Sequence, residues 1–227
     1  MATVPLEERR TEIAELLERM CTAAGTALRT ATVALREDRP RLAERVLTGD
    51  VEIDELRAEV ERRSLTAMAL NAPVAGDLRT LVAAIRCAAD IERMGDLATH
   101  IARTVQRGRP VPDAARAIFV QMGELGAEMA DRAAEVARSR NVLQALELDR
   151  TDDVVDGYLR DVFELTLDPA WSHGVEAAVD VTLLARYYER FADHAVAVAK
   201  QVVYMVTGQD VVQVAAELDG GPALDPA

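Results

Sequence analysis

Apolar residues in this chain recur every three or four positions over long stretches, the spacing that lines one face of a helix and not the alternation of a half-buried strand. The run Ile91, Met94, Ala98, Ile101 and Val105 is one such face, and Tyr188, Phe191, Ala195, Val198 and Val202 is another. Breaks are few. The pattern predicts a first helix from about residue 6 to the Glu37-Asp38-Arg39-Pro40 break, a second over about 41–70, and a third over about 77–106. Arg107-Gly108-Arg109-Pro110 closes the third, and Val111-Pro112-Asp113 reads as a linker with Asp113 at an N-cap. Three further helices are predicted: about 114–138, then from beyond Ser139-Arg140-Asn141 to about 166, and finally about 174–206.

The second three helices repeat the plan of the first. Ile91-Glu92-Arg93-Met94-Gly95-Asp96-Leu97-Ala98 and Tyr188-Glu189-Arg190-Phe191-Ala192-Asp193-His194-Ala195 both read apolar-Glu-Arg-apolar-small-Asp-x-Ala. A Leu/Ala-rich helix could share the apolar stripe by chance, but hardly the acid and basic positions within it. The expected fold is therefore all-α, two tandem and similar three-helix bundles over residues 1–110 and 111–209, followed by a partly disordered tail, 210–227.

Each half carries acidic residues four apart, and that spacing places both on one helix face. The pairs are Asp50/Asp54 and Glu92/Asp96 in the first half, Asp152/Asp156 and Glu189/Asp193 in the second. Asp54 and Glu92 lie equally far from residue 73, the proline of the turn between their helices, and so do Asp50 and Asp96. In the second half the corresponding pairs share a midpoint between residues 172 and 173. Antiparallel hairpins should thus bring four carboxylates to one height in each half. Like charges so placed repel unless a cation or a proton intervenes. Carboxylate oxygens suit Mg²⁺, Mn²⁺, Ca²⁺ or iron, so all eight acids are candidate metal ligands. Zinc is less favoured, since neither Cys nor a regular His set accompanies them, and His100 and His194 occupy non-equivalent positions. The acids sit one position round from the apolar stripe and are expected to flank the core. The competing expectation is a solvated acidic face paired with Arg93 and Arg190.

Composition narrows the functional classes. A net charge of −13 opposes broad binding to nucleic acid or anionic lipid. Only 4% of residues are aromatic, so the core must be built from Ala, Leu, Val, Ile and Met. Cys21 and Cys87 lie in Ala-rich helical stretches and read as buried, reduced thiols. No apolar signal region opens the chain, and its most apolar stretch, residues 195–206, is interrupted by Lys200 and Gln201, so a cytoplasmic location is expected. Arg62, Arg63, Arg79 and Arg86 suggest phosphate binding as one reading, but salt bridges on helix surfaces are the expectation. No catalytic nucleophile, phosphate-cradling Gly loop or nucleotide motif is present, so no enzyme activity is expected.

Pro73-Val74-Ala75-Gly76-Asp77-Leu78-Arg79, Asp90-Ile91-Glu92-Arg93-Met94-Gly95-Asp96, the Tyr188–Ala195 segment and Tyr204-Met205-Val206-Thr207-Gly208 together resemble the PhoU family of phosphate-specific transport system accessory proteins. The resemblance runs to about Gly208. The second copy departs from it at Ala192, where Gly is common, and in its turn. The resemblance implies two three-helix bundles with repeated E(D)xxxD motifs. It also implies a cytoplasmic, homodimeric regulator that restrains phosphate uptake and keeps the phosphate-starvation response off. The implied partners are the phosphate-specific ABC transporter and the phosphate-sensing histidine kinase, with peripheral membrane contact only. The alternative is a carboxylate-bridged metal-binding or metal-storage bundle, although no Glu-x-x-His accompanies the acids.

Overall fold

A computed structural model describes residues 5–218 of the chain, and the helices follow the sequence periodicity closely. They are α1 (Leu6–Glu37), α2 (Pro40–Asn71), α3 (Gly76–Gln106), α4 (Asp113–Ser139), α5 (Val142–Leu167), α6 (Gly174–Thr207) and α7 (Val211–Leu218). There is no strand among the described residues. The tail assigned to 210–227 is thus helical over Val211–Leu218, while residues 219–227 lie outside the described residues.

Local chemistry ends the helices where the sequence breaks. Asp38 closes α1 in the left-handed region at φ 50°, and Pro40 at the start of α2 forbids continuation. Arg140 closes α4 at φ 56°, after which the Asn141 side chain accepts from the amides of Leu143 and Gln144 to cap α5. Asp113 differs from its expected role: Pro112 precedes the first helical residue, and Asp113 sits inside the first turn of α4. There its charge still complements the helix dipole.

α1, α2 and α3 pack against one another, as do α4, α5 and α6. The two units share a single continuous core, because α1 also lies along α4 and α3 along α6. Small residues permit the close approach of α1 and α4. A Cβ on Gly123 would stand 2.2 Å from Thr32 Oγ1, and one on Gly126 would stand 2.9 Å from Leu28. The gap is filled by a buried polar contact, Thr32 Oγ1 to Tyr188 OH at 3.1 Å, beside the stacked rings of Phe119 and Tyr188. The inter-unit face of α3 and α6 carries a second polar link, His194 Nδ1 to Asp90 Oδ1 at 3.1 Å. Cys21 and Cys87 are both free and buried in this shared core. Burial, with the charge of Glu18 behind it, pushes the Cys21 thiol up to about 12. No helix among the described residues is long and apolar enough to cross a membrane.

Candidate functional site

The α2–α3 and α5–α6 hairpins carry the acid pairs. In the first unit Asp50 is the inner member, half-buried. Gly95 makes room for it: a Cβ there would come 3.0 Å from Asp50 Oδ1 and 2.8 Å from Ile53. Burial, then the charges of Asp54, Asp96 and Glu92, push the Asp50 carboxyl up to about 6, with Arg103 opposing. The four acids predicted to share one height therefore act on one another. Glu92 is mostly covered, its side chain 14% exposed, and meets Arg57 of α2 at 3.0 Å. Arg93 holds Asp96 at 2.9 Å and reaches Glu92 at 3.7 Å. The Oε2 atom of Glu92 is buried without a hydrogen-bond partner.

The second unit repeats the arrangement with a deeper acid. Burial, then Asp193, Asp156 and Asp149, push Asp152 up to about 6, with Lys200 opposing. Glu189 is only 5% exposed and rises to about 7, through burial first and then Asp193, with Asp156 and Asp152 adding and Arg186 opposing. The expectation that the acids flank the core fails at Glu189. This residue follows Tyr188 on the face of α6 turned toward the interior, and no sequence pattern separated it from Glu92. Its Oε1 accepts from Arg186, one turn earlier, while Arg190 makes no ion pair among the described residues. Asp152 Oδ1 and Glu189 Oε2 are buried without partners. Asp54, Asp156 and Asp193 are exposed at the rim.

In each unit neighbouring acids of the predicted set thus raise the buried ones, Asp50, Asp152 and Glu189, and three oxygens of the two sets, without hydrogen-bond partners, are hard donors of the kind that suits a hard cation. As placed, no three His, Cys, Asp or Glu side chains among the described residues converge into a ligand set. Arg57, Arg93 and Arg186 hold carboxylates that a cation would need. Neither histidine joins a cluster: His194 turns to Asp90, and His100 stacks on Tyr187 at 5.0 Å.

The surface arginines divide. Arg62 and Arg63 form the expected salt bridges, to Glu59 and, for Arg63, also to Glu12. Arg79 instead lies 5.9 Å above the Tyr204 ring and donates to the Met205 carbonyl at 3.5 Å.

Comparison with known proteins gives a consistent result. The family model described as "PhoU domain" matches twice, over residues 17–105 and 119–202. The chain is 44% identical over 204 residues to the "Phosphate-specific transport system accessory protein PhoU homolog 2" of Mycobacterium tuberculosis, covering 88% of this chain and 96% of that relative. It is equally identical over 204 residues to the PhoU homolog 1 of Mycobacterium leprae, covering 88% and 92%. Crystal structures of PhoU from Pseudomonas aeruginosa and of the phosphate transport system regulatory protein PhoU from Streptococcus pneumoniae superpose with TM-scores of 0.80 and 0.81. At 21% and 20% identity they cover 90% and 91% of this chain, and 100% and 99% of their own. These two support the fold.

Proposed function

The chain belongs to the PhoU family, and from that premise we propose that it is an accessory regulator of phosphate transport, not an enzyme. The observation that carries this reading is the twofold match to the PhoU domain, joined to 44% identity with proteins named for that role across nearly their whole length. The finer proposal is that it works in the cytoplasm as a homodimer and represses the phosphate-starvation response. In this proposal it docks on the phosphate-specific ABC transporter and the phosphate-sensing histidine kinase. Long helices with acidic outer faces and a net charge of −13 suit docking on basic protein surfaces.

Two cation sites are part of the proposal. Asp50, Asp54, Glu92 and Asp96 would hold one; Asp152, Asp156, Glu189 and Asp193 the other, with Mg²⁺, Mn²⁺ or iron neutralising charges that the arginines now balance. The buried oxygens of Glu92, Asp152 and Glu189 that lack a hydrogen-bond partner support this assignment. They also favour the second reading, a metal-binding or metal-storage bundle.

Deleting the gene and following phosphate-responsive transcription in phosphate-rich medium tests the regulatory reading. Transcription should rise, and return to the repressed level when the gene is restored. Unchanged transcription, with tight metal loading of the purified protein, would favour the storage bundle instead.

A further inference from the structure

Three arginines from separate elements line one cleft of about 360 Å³. Arg10 comes from the first turns of α1, Arg79 from the first turn of α3, and Arg140 from the α4–α5 corner. Only one carboxylate accompanies them: Asp77 Oδ1 accepts from Arg10 at 2.8 Å. Among the described residues the Arg140 guanidinium has no carboxylate within ion-pair reach, and its hydrogen bond to the Arg10 carbonyl is long at 3.5 Å. Burial and the nearby charge of Arg10 hold its guanidinium below the ordinary value. The Nε of Arg10 is buried and without a partner. The cleft therefore concentrates two net positive charges in a strongly acidic protein, an arrangement that is unfavourable until an anion fills it.

The surroundings are built to keep these groups in place. Gly208 terminates α6 at φ 79°, and a side chain there would strike the Arg79 guanidinium at 2.7 Å. Arg79 is thereby clamped between the end of α6 and the Tyr204 ring. The start of α3, Gly76 to Thr80, lines the same opening. Guanidinium groups bind tetrahedral oxyanions through paired N–H donors. Asp77 then selects among such anions. Its second oxygen accepts no hydrogen bond among the described residues, so it can accept a P–OH proton of orthophosphate, whereas fully ionised sulfate brings only repulsion.

We propose that this cleft is a binding site for free orthophosphate, held by Arg10, Arg79 and Arg140, with Asp77 accepting the hydrogen bond of its protonated oxygen. The assignment stands on the cleft alone. A chain that binds phosphate here without altering phosphate-responsive transcription keeps it and loses the regulatory reading.

Isothermal titration calorimetry of the full chain, at constant ionic strength near neutral pH, tests the proposal. Orthophosphate should bind saturably at one site per chain, and sulfate at least ~10-fold more weakly. Arg79→Gln and Arg140→Gln should each weaken phosphate binding by ~10-fold or more with helical content unchanged, while Arg62→Gln, remote and salt-bridged, leaves it unaltered. Asp77→Asn should narrow the gap between phosphate and sulfate. Absence of saturable heat, equal affinity for sulfate in the wild type, or equal weakening by Arg62→Gln would overturn it. So would tighter binding of glycerol phosphate than of the free ion, which would make the ligand a phosphomonoester.

Discussion

Glu189 is the acid on which the electrostatics of the second cluster can be measured, because it is buried, half-satisfied and alone in rising to about 7. A carboxyl whose pKa is higher in the folded chain than in the unfolded one binds its proton more tightly in the native state. Its contribution to stability is therefore whole below about 4.5 and is lost as pH rises through about 7. The rise of about two and a half pH units corresponds to a ceiling of about 3 kcal/mol. Solvent reaching the exposed rim of Asp156 and Asp193 screens this, leaving about 1–2 kcal/mol. Glu189→Gln removes the charge, retains an acceptor for Arg186 and supplies an amide donor toward the neighbouring carboxylates. Urea unfolding followed by far-UV circular dichroism, with chelator present, should show the variant more stable than wild type by that amount at about pH 8 and by much less at about pH 5. Saturating Mn²⁺ or Mg²⁺ should reverse the order at the higher pH, since the wild type gains a ligand that the variant lacks. A difference independent of pH, or a variant less stable at pH 8 without metal, would refute the reasoning.

Gly123→Ala drives a Cβ against Thr32 where α1 and α4 meet, and should lower stability by about 1–3 kcal/mol in the same unfolding assay. The loss should shrink when Thr32→Ala is added, because the closest clash is with the hydroxyl and methyl of that side chain. Cys21 and Cys87 should resist a thiol-specific reagent in the native chain and react together once denaturant unfolds it, since both are buried and their thiols are held protonated. Mass spectrometry of the trapped thiols reads this directly.

The architecture was legible because its determinants are local and periodic. Pro40, Gly108-Arg109-Pro110 and Asn141 punctuate runs whose apolar spacing repeats faithfully, and equal distances from a turn led to the expectation that the acids share one level. Two things were not legible. Whether an acid one step from the stripe is covered depends on the neighbouring helix's side chains, so Glu92 and Glu189 looked alike although only Glu189 is fully buried. The choice of Arg186 over Arg190 as its partner was equally hidden, because helical spacing offers several arginines and packing selects one. The Arg10, Arg79 and Arg140 cleft joins residues with no periodic relation, brought together by the docking of one unit on the other. Only Arg79 carried a prior signal, and the expectation attached to it was a salt bridge.

The seam between the units joins two helices of each to their own counterparts: α1 to α4, and α3 to α6. That is the signature of a twofold axis, in which a surface meets its own copy, as between the subunits of a symmetric dimer. The chain is organised as two protomers whose ends have been tied together by residues 107–112. Tying them frees each half to change separately while the interface is kept at high effective concentration. Ala192 against Gly95 is a difference that an assembly of identical subunits could not hold.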